Sequence, residues 1–138
     1  MIVSEPCEEI AAWVGARIGV EFHPPYTTLA HVDRGRIIAG FIFNAWTEHD
    51  IEISLAAERL SLTLMRAVYD YVVRQLGCRR ATARLRADNI DAQTVIARLG
   101  GRLEGRQRGY FGDCDALLYA IMKEDFPYGL HAKSPQGA

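Results

Sequence analysis

The chain has 138 residues, 49% of them apolar and 24% charged, and a formal charge of −1. That length and balance suit one compact domain with a sizeable core. No run of about eighteen consecutive apolar residues occurs, so no membrane span is expected, and the near-neutral charge argues against a general nucleic-acid binder.

In chain order, "MIV" reads as a very short first strand, and "SEPCEEIAAWVGARIG" as a helix. Ser4 is its expected cap, Pro6 suits the first turn, and the acids lie at the positive end of the helix dipole. Ile10, Trp13, Val14 and Ile18 recur at helical spacing. The prolines of "EFHPPY" break regularity. Two extended runs then flank "DRGR", where Asp33 and Gly35 supply turn chemistry. "DIEISLA" alternates, with Ile51, Ile53 and Leu55 on one face and Glu52 and Ser54 on the other.

"AAERLSLTLMRAVYDYVVRQLG" is expected to form a helix of four to five turns, with Leu60, Leu64, Ala67, Val68, Tyr71, Val72 and Leu76 facing a sheet and Gly77 as the stop. "CRRATARLRA" alternates again: Ala81, Ala83 and Leu85 against Thr82, Arg84 and Arg86. "DNIDAQTVIARLGG" is a shorter helix, capped by Asn89 or Asp91 and ended by Gly100. Two last strands lie around "RLEGRQRGYF" and "DALLYAIMKE", joined by a "GDCD" turn. The expected organisation is a single domain over residues 1–126 and a loosely held tail over residues 127–138.

Charge is unevenly spread. Nine arginines fall between Arg74 and Arg108, opposed by Asp88, Asp91 and Glu104, whereas Glu48, Asp50, Glu52 and Glu58 crowd a stretch without Lys or Arg. The asymmetry suits an anionic ligand beside a cationic one, or two solvated faces. Cys7, Cys78 and Cys114 are odd in number and lack metal spacing, as do His23, His31 and His49, so reduced thiols, a cytoplasmic location and no metal site are expected. The opening residues lack a basic leader before a long apolar stretch, so no secretory signal is expected.

The element order, together with "NIDAQTVIARLGGRLEGRQRGYFGDCDALLYAIMKED", resembles the GNAT N-acetyltransferase superfamily. The combination "FNAW…DIEISLA…LMRAVYDYVVRQLGCRRATARLRADN" is similar to small GNAT-like proteins of phages and prophages. The resemblance implies a mixed α/β (α+β), mostly antiparallel sheet of six to seven strands flanked by helices. It also implies acetyl-CoA as cosubstrate, lying in a V-shaped gap between "DIEISLA" and "ATARLRA". Its pantetheine arm would bond the main chain near Leu55, Ala56 and Ala57. Its pyrophosphate would sit on the loop and helix start holding Arg59, Leu60, Ser61, Leu62, Thr63 and Leu64. Arg59 takes the place of the family's basic residue, and Leu60 and Leu62 stand where its glycines are expected. Helix-start amides belong to the backbone and survive either side chain, while bulky residues forbid the tightest loop.

Among candidate chemical groups, Glu52 matches the general base that some GNAT members carry on this strand; the alternative is an ion pair with an arginine such as Arg84. His49, beside Asp50, has a suitable ordinary pKa and also sits in a turn. Asn89 aligns with the family's cofactor-contacting asparagine and is also a natural cap. The tyrosine acid of many GNAT enzymes falls on Ile96, which cannot donate a proton; Tyr110 and Tyr119 are the remaining candidates. Gly101 replaces the usual phenylalanine after "LG". The leading expectation is an acetyl-CoA-dependent N-acetyltransferase in which an amine attacks the thioester directly in a ternary complex. The acceptor is open among a small amine, a protein N-terminus, a lysine and a modified base. The alternative is a GNAT-fold protein without catalysis that binds a host protein. A homodimer is compatible with either.

Overall fold

A computed structural model describes residues 1–126; the expected tail at residues 127–138 lies outside the described residues. In chain order the elements are β1 (Ile2–Val3), α1 (Cys7–Ile18), β2 (Thr27–Asp33), β3 (Arg36–Asn44), β4 (Asp50–Ala57), α2 (Leu62–Tyr69), β5 (Arg80–Arg86), α3 (Ile90–Arg98), β6 (Arg102–Gln107) and β7 (Ala116–Met122). The strands form one seven-stranded sheet in the order β1-β2-β3-β4-β5-β7-β6. Every neighbouring pair is antiparallel except β4–β5, which is parallel. This is the expected α/β class. A parallel neighbour requires a crossover, and α2 supplies it.

Period-two alternation sorts the strands between two faces. Ile51, Ile53, Ala81, Ala83 and Ile121 share a core with Leu64, Met65, Val68 and Val72 after β4, and with Ile96 and Leu99 of α3. On the opposite face α1 sets Ile10, Ala11 and Val14 against Ala30 and Ile42. Its close approach explains Gly40: a Cβ there would stand 2.8 Å from Val14 Cγ2.

Local details depart from expectation in three places. Pro6, not Ser4, is the N-cap of α1, and the Ser4 carbonyl instead accepts a hydrogen bond from Thr28. The anticipated long helix begins only at Leu62, because β4 runs on through Ala57. It then widens to a π-helix over Asp70–Gln75, with Leu76 N–H donating to the Tyr71 carbonyl. Gly77, at φ +74°, ends it as expected.

Candidate functional site

The β4–β5 ladder is short. It joins Asp50 to Arg80, Ile51 to Ala81, Glu52 to Thr82 and Ile53 to Ala83, and there it stops. Beyond that rung β4 continues against β3, through Leu55 opposite Phe41 and Ala57 opposite Ala39, while β5 continues against β7 to Arg86 opposite Ala116. Residues 54–57 of β4 therefore have a strand partner on one edge only. Their main-chain donors and acceptors on the other edge are open for strand-like bonding.

The gap widens into a cleft of about 780 Å³. Leu55 and Leu85 extend the core rows past the last rung and face each other across it as its walls. Val95 and Ile96 of α3, Leu99 just after it and Met65 of α2 close its apolar depth. Arg17, Arg59 and Arg98 stand at its polar rim, with Glu58 and Asp91. Glu58 is held by Arg36. Arg59 reaches Asp33 only at 3.7 Å, and Arg98 has no ion pair among the described residues. The rim is thus an anion-favouring border around an apolar slot.

The start of α2 opens onto this cleft. Ser61 is its N-cap, and its hydroxyl accepts from Leu64 N–H at 3.1 Å. The amides of Leu62 and Thr63, the first two of the helix, have no intramolecular partner among the described residues. Ser61 Oγ also lies 3.0 Å from His31 Nδ1 on β2. Burial, followed by the positive N-terminus and Arg59, holds the His31 imidazole below its ordinary pKa.

Leu55, Ala56, Ala57, Arg59, Leu60, Ser61, Leu62 and Asn89 all line the cleft, whereas Thr63 and Leu64 do not. A basic-x-x-small-x-small loop counted from Arg59 places its small positions at Leu62 and Leu64, not at Leu60 and Leu62. The three leucines have different fates. Leu64 is fully buried, Leu60 packs against the core, and Leu62 is 41% exposed.

Asn89 caps α3 through Oδ1, which accepts from Ala92 N–H at 3.1 Å. Ile96 is buried on the cleft side of α3. A Cβ on Gly101 would stand 2.4 Å from Ile96 Cγ2 and 2.8 Å from its carbonyl oxygen. The loss of a side chain at residue 101 is therefore coupled to the aliphatic residue at 96. Tyr119 packs against the core, and Tyr110 is 52% exposed.

On the sheet face away from α2 and α3, Glu52 does find Arg84. Arg84 Nη1 donates to both carboxylate oxygens at 3.0 and 3.2 Å, and its Nε donates to Gln107 Oε1 at 2.9 Å. The Arg84 guanidinium lies 4.7 Å from the centre of the Tyr110 ring. One row away, Asp50 accepts from Thr82 at 2.6 Å and from Arg80, which also binds Glu104. Glu104 is the extra residue of a β-bulge between Leu103 and Gly105, which is how an edge strand re-aims a carboxylate inward. His49 is exposed just before β4, about 20 Å along the strand from Leu55. Neither His49 nor Glu52 is among the residues that line the cleft.

The arginine-rich stretch is therefore not one cationic surface. Arg80, Arg84 and Arg86 are neutralised on the open face, Arg106 pairs with Asp115 in the row of Leu117 and Leu85 on the other face, and Arg98 belongs to the cleft. Sequence reasoning missed His31, Arg17 and Arg98 as site neighbours. They come from β2, α1 and the end of α3, and no local motif links them. No group of three metal-ligating side chains occurs among the described residues, and no helix there is long and apolar enough to cross a membrane.

No family model matches the sequence, and neither does any curated protein. Solved structures do match. The chain is similar to a spermidine/spermine N-acetyltransferase from Vibrio cholerae, with TM-score 0.69 and 11% identity over 90% of this chain and 95% of that one. It is similar to the ribosomal-protein-S18-alanine N-acetyltransferase of Escherichia coli, with TM-score 0.68 and 16% identity over 100% and 97%. A putative acetyltransferase from Salmonella typhimurium, solved with its cofactor acetyl-CoA, matches with TM-score 0.63 and 12% identity over 100% and 98%. With its parallel β4–β5 pair parting above a crossover helix, the chain has the fold of the GNAT acetyltransferases.

Proposed function

We propose that the protein is an acetyl-CoA-dependent N-acetyltransferase that passes an acetyl group to an amine by direct attack in a ternary complex. The observation that carries this reading is the end of the β4–β5 ladder at Ile53 and Ala83, which leaves a slot with one free strand edge. The residues present fit a long, amide-bearing, phosphorylated thioester. The free edge at residues 54–57 suits the amides of a pantetheine arm, Leu55, Leu85, Val95 and Ile96 exclude water, and the Leu62 and Thr63 amides with Arg17, Arg59 and Arg98 suit the phosphates. Several neighbours by fold are acetyltransferases, one of them solved with acetyl-CoA.

The cosubstrate supplies an activated acetyl thioester. The chain's task is to orient it and to manage protons. In this reading Glu52 accepts a proton from the incoming ammonium, directly or through water, at the mouth of the split. Ile96 leaves α3 without a donor at the family's tyrosine position, so the proton that ends on sulfur comes from water. Cys7, Cys78 and Cys114 are unpaired among the described residues, and this reading sets the protein in the cytoplasm, where thiols stay reduced.

A second reading has one specific observation behind it. Ile96 fills the place of the acid, as in a GNAT-fold protein that has given up catalysis and binds a host protein instead. Calorimetric titration with acetyl-CoA and with coenzyme A separates the two. Micromolar binding is expected; no heat and no thermal shift at millimolar ligand would abandon the enzyme for the binding protein.

A further inference from the structure

We propose that the acceptor is an α-amine next to a carbonyl, the N-terminal end of a peptide or protein, held by Glu52 and Arg84 where β4 and β5 part. The inference rests on the acetyltransferase reading and narrows its open acceptor. Glu52 stands one residue before the last rung and Arg84 one residue after it, on the face opposite Leu55 and Leu85. They border the vertex of the split from the side away from the cleft's helices.

The pair is a fixed acceptor beside a fixed donor. Their side chains are only 29% and 22% exposed. Nη1 of Arg84 is used by Glu52, Nε by Gln107, and the guanidinium plane by Tyr110. Nη2 has no partner among the described residues. A guanidinium carries five N–H donors in a rigid fork, so two of them remain aimed from an immobilised plane, next to a carboxylate with lone pairs to spare. An N-terminal residue presents the complement: N–H donors for Glu52 and, two bonds away, a carbonyl oxygen for Nη2.

Other amines match less well. A lysine side chain or a polyamine has no acceptor near its nitrogen, so it would leave the Arg84 Nη2 donors unpaired, which discriminates against it. A polyamine also needs unpaired acids, yet on this face Asp50 and Glu104 are engaged by Arg80, and Asp88 and Asp113 by Arg86. Proton supply points the same way. An α-amine is roughly one-tenth neutral at pH 7, against roughly one part in two thousand for lysine, so a carboxylate tied to an arginine suffices as base. The rest of a polypeptide has room: among the described residues, α1 packs on β2, β3 and the Ala56 end of β4, and no helix packs on this face of β5 and β7.

The step balances as follows. The α-ammonium releases one proton through Glu52, its nitrogen forms the C–N bond, the C–S bond breaks, and the second proton from nitrogen is matched by one taken up by the departing sulfur. One amide, one thiol and one net proton result.

The test uses the full chain with acetyl-CoA and four acceptor sets: X-Gly amides carrying all twenty N-terminal residues, the free amino acids, Nα-acetyl-lysine amide, and spermidine, with products read by mass spectrometry. At least one X-Gly amide should exceed acetyl-lysine amide and spermidine by tenfold or more in kcat/KM. Arg84→Lys and Arg84→Gln should each erase that preference at least tenfold with acetyl-CoA affinity unchanged, whereas a purely structural arginine would depress all acceptors alike. Equal or faster transfer to lysine or spermidine overturns the proposal. So does faster transfer to free amino acids than to X-Gly amides, which would assign the site to a metabolite. Intact acetyl-CoA binding with no transfer to any set also overturns it, while absent binding strikes the acetyltransferase reading itself.

Discussion

Ser61 and His31 meet side chain to side chain, Oγ to Nδ1 at 3.0 Å, while the same hydroxyl accepts the Leu64 amide. A residue of β2 thereby steadies the first turn of α2, the turn that opens onto the cleft. Ser61→Ala should cost about 1 kcal/mol of stability through the lost cap. It should also weaken acetyl-CoA binding severalfold, measured by denaturant melts and calorimetry on one preparation. Full retention of both would show that the cap is not what orders this turn.

The same contact sets a pH dependence. His31 is held below its ordinary value of 6.5, chiefly by burial, so the unfolded chain binds more protons as pH falls. Stability should be complete above about pH 6.5 and decline as the pH drops through the folded-state value. The carboxylates held low by arginines, such as Asp88 beside Arg86, lose their contributions only at lower pH still. Urea midpoints between pH 7.5 and 5 should therefore fall for the wild type and fall less for His31→Asn. Identical slopes would remove His31 as the cause.

Leu62 is exposed where Leu60 and Leu64 are packed. Leu62→Gly should change acetyl-CoA affinity less than tenfold, because the amides that meet phosphate are main-chain groups. Leu60→Gly should instead destabilise the fold by about 1–2 kcal/mol through lost burial and added backbone freedom. A hundredfold gain in affinity from Leu62→Gly would mean that the leucine obstructs the site.

Arg98 and Arg17 frame the cleft rim from different elements. Each change to Ala should raise the Kd of acetyl-CoA by roughly fivefold to tenfold, in line with a charge-assisted hydrogen bond. The effect should shrink with added salt. Isothermal titration at two ionic strengths reads both quantities. Unaltered Kd in both variants would take the phosphates elsewhere.

Glu52→Gln keeps an acceptor for Arg84 but removes the base. Turnover should drop by about 10²–10⁴ with acetyl-CoA affinity retained. Steady-state kinetics beside calorimetry separates the two, and unchanged turnover would exclude Glu52 from proton transfer.

Much of the architecture was legible because local rules agreed with one another. The alternation of Ile51, Ile53, Ala81 and Ala83 already named the buried face, and all four are buried. Of the two caps expected for α3, Asn89 and Asp91, Asn89 is the one used, and Gly77 marks its helix's stop. The start of α2 was misread by several residues, since "AAERL" suits a helix as well as a strand end. Only pairing with β3 extends β4 through Ala57.

The sequence by itself determined which side chains are apolar, at what period, and where glycine and caps interrupt them. Those facts are enough to specify strands, helices and their order, because hydrogen-bond geometry and side-chain periodicity act over a few residues. What it left open was partnership at long range. That Arg84 neutralises Glu52, that Arg80 ties Asp50 to a bulged Glu104, and that Arg17, Arg59 and Arg98 gather at one rim follow only when the sheet closes. Charge and distance decide those contacts, and residues far apart in the chain acquire a distance only in three dimensions.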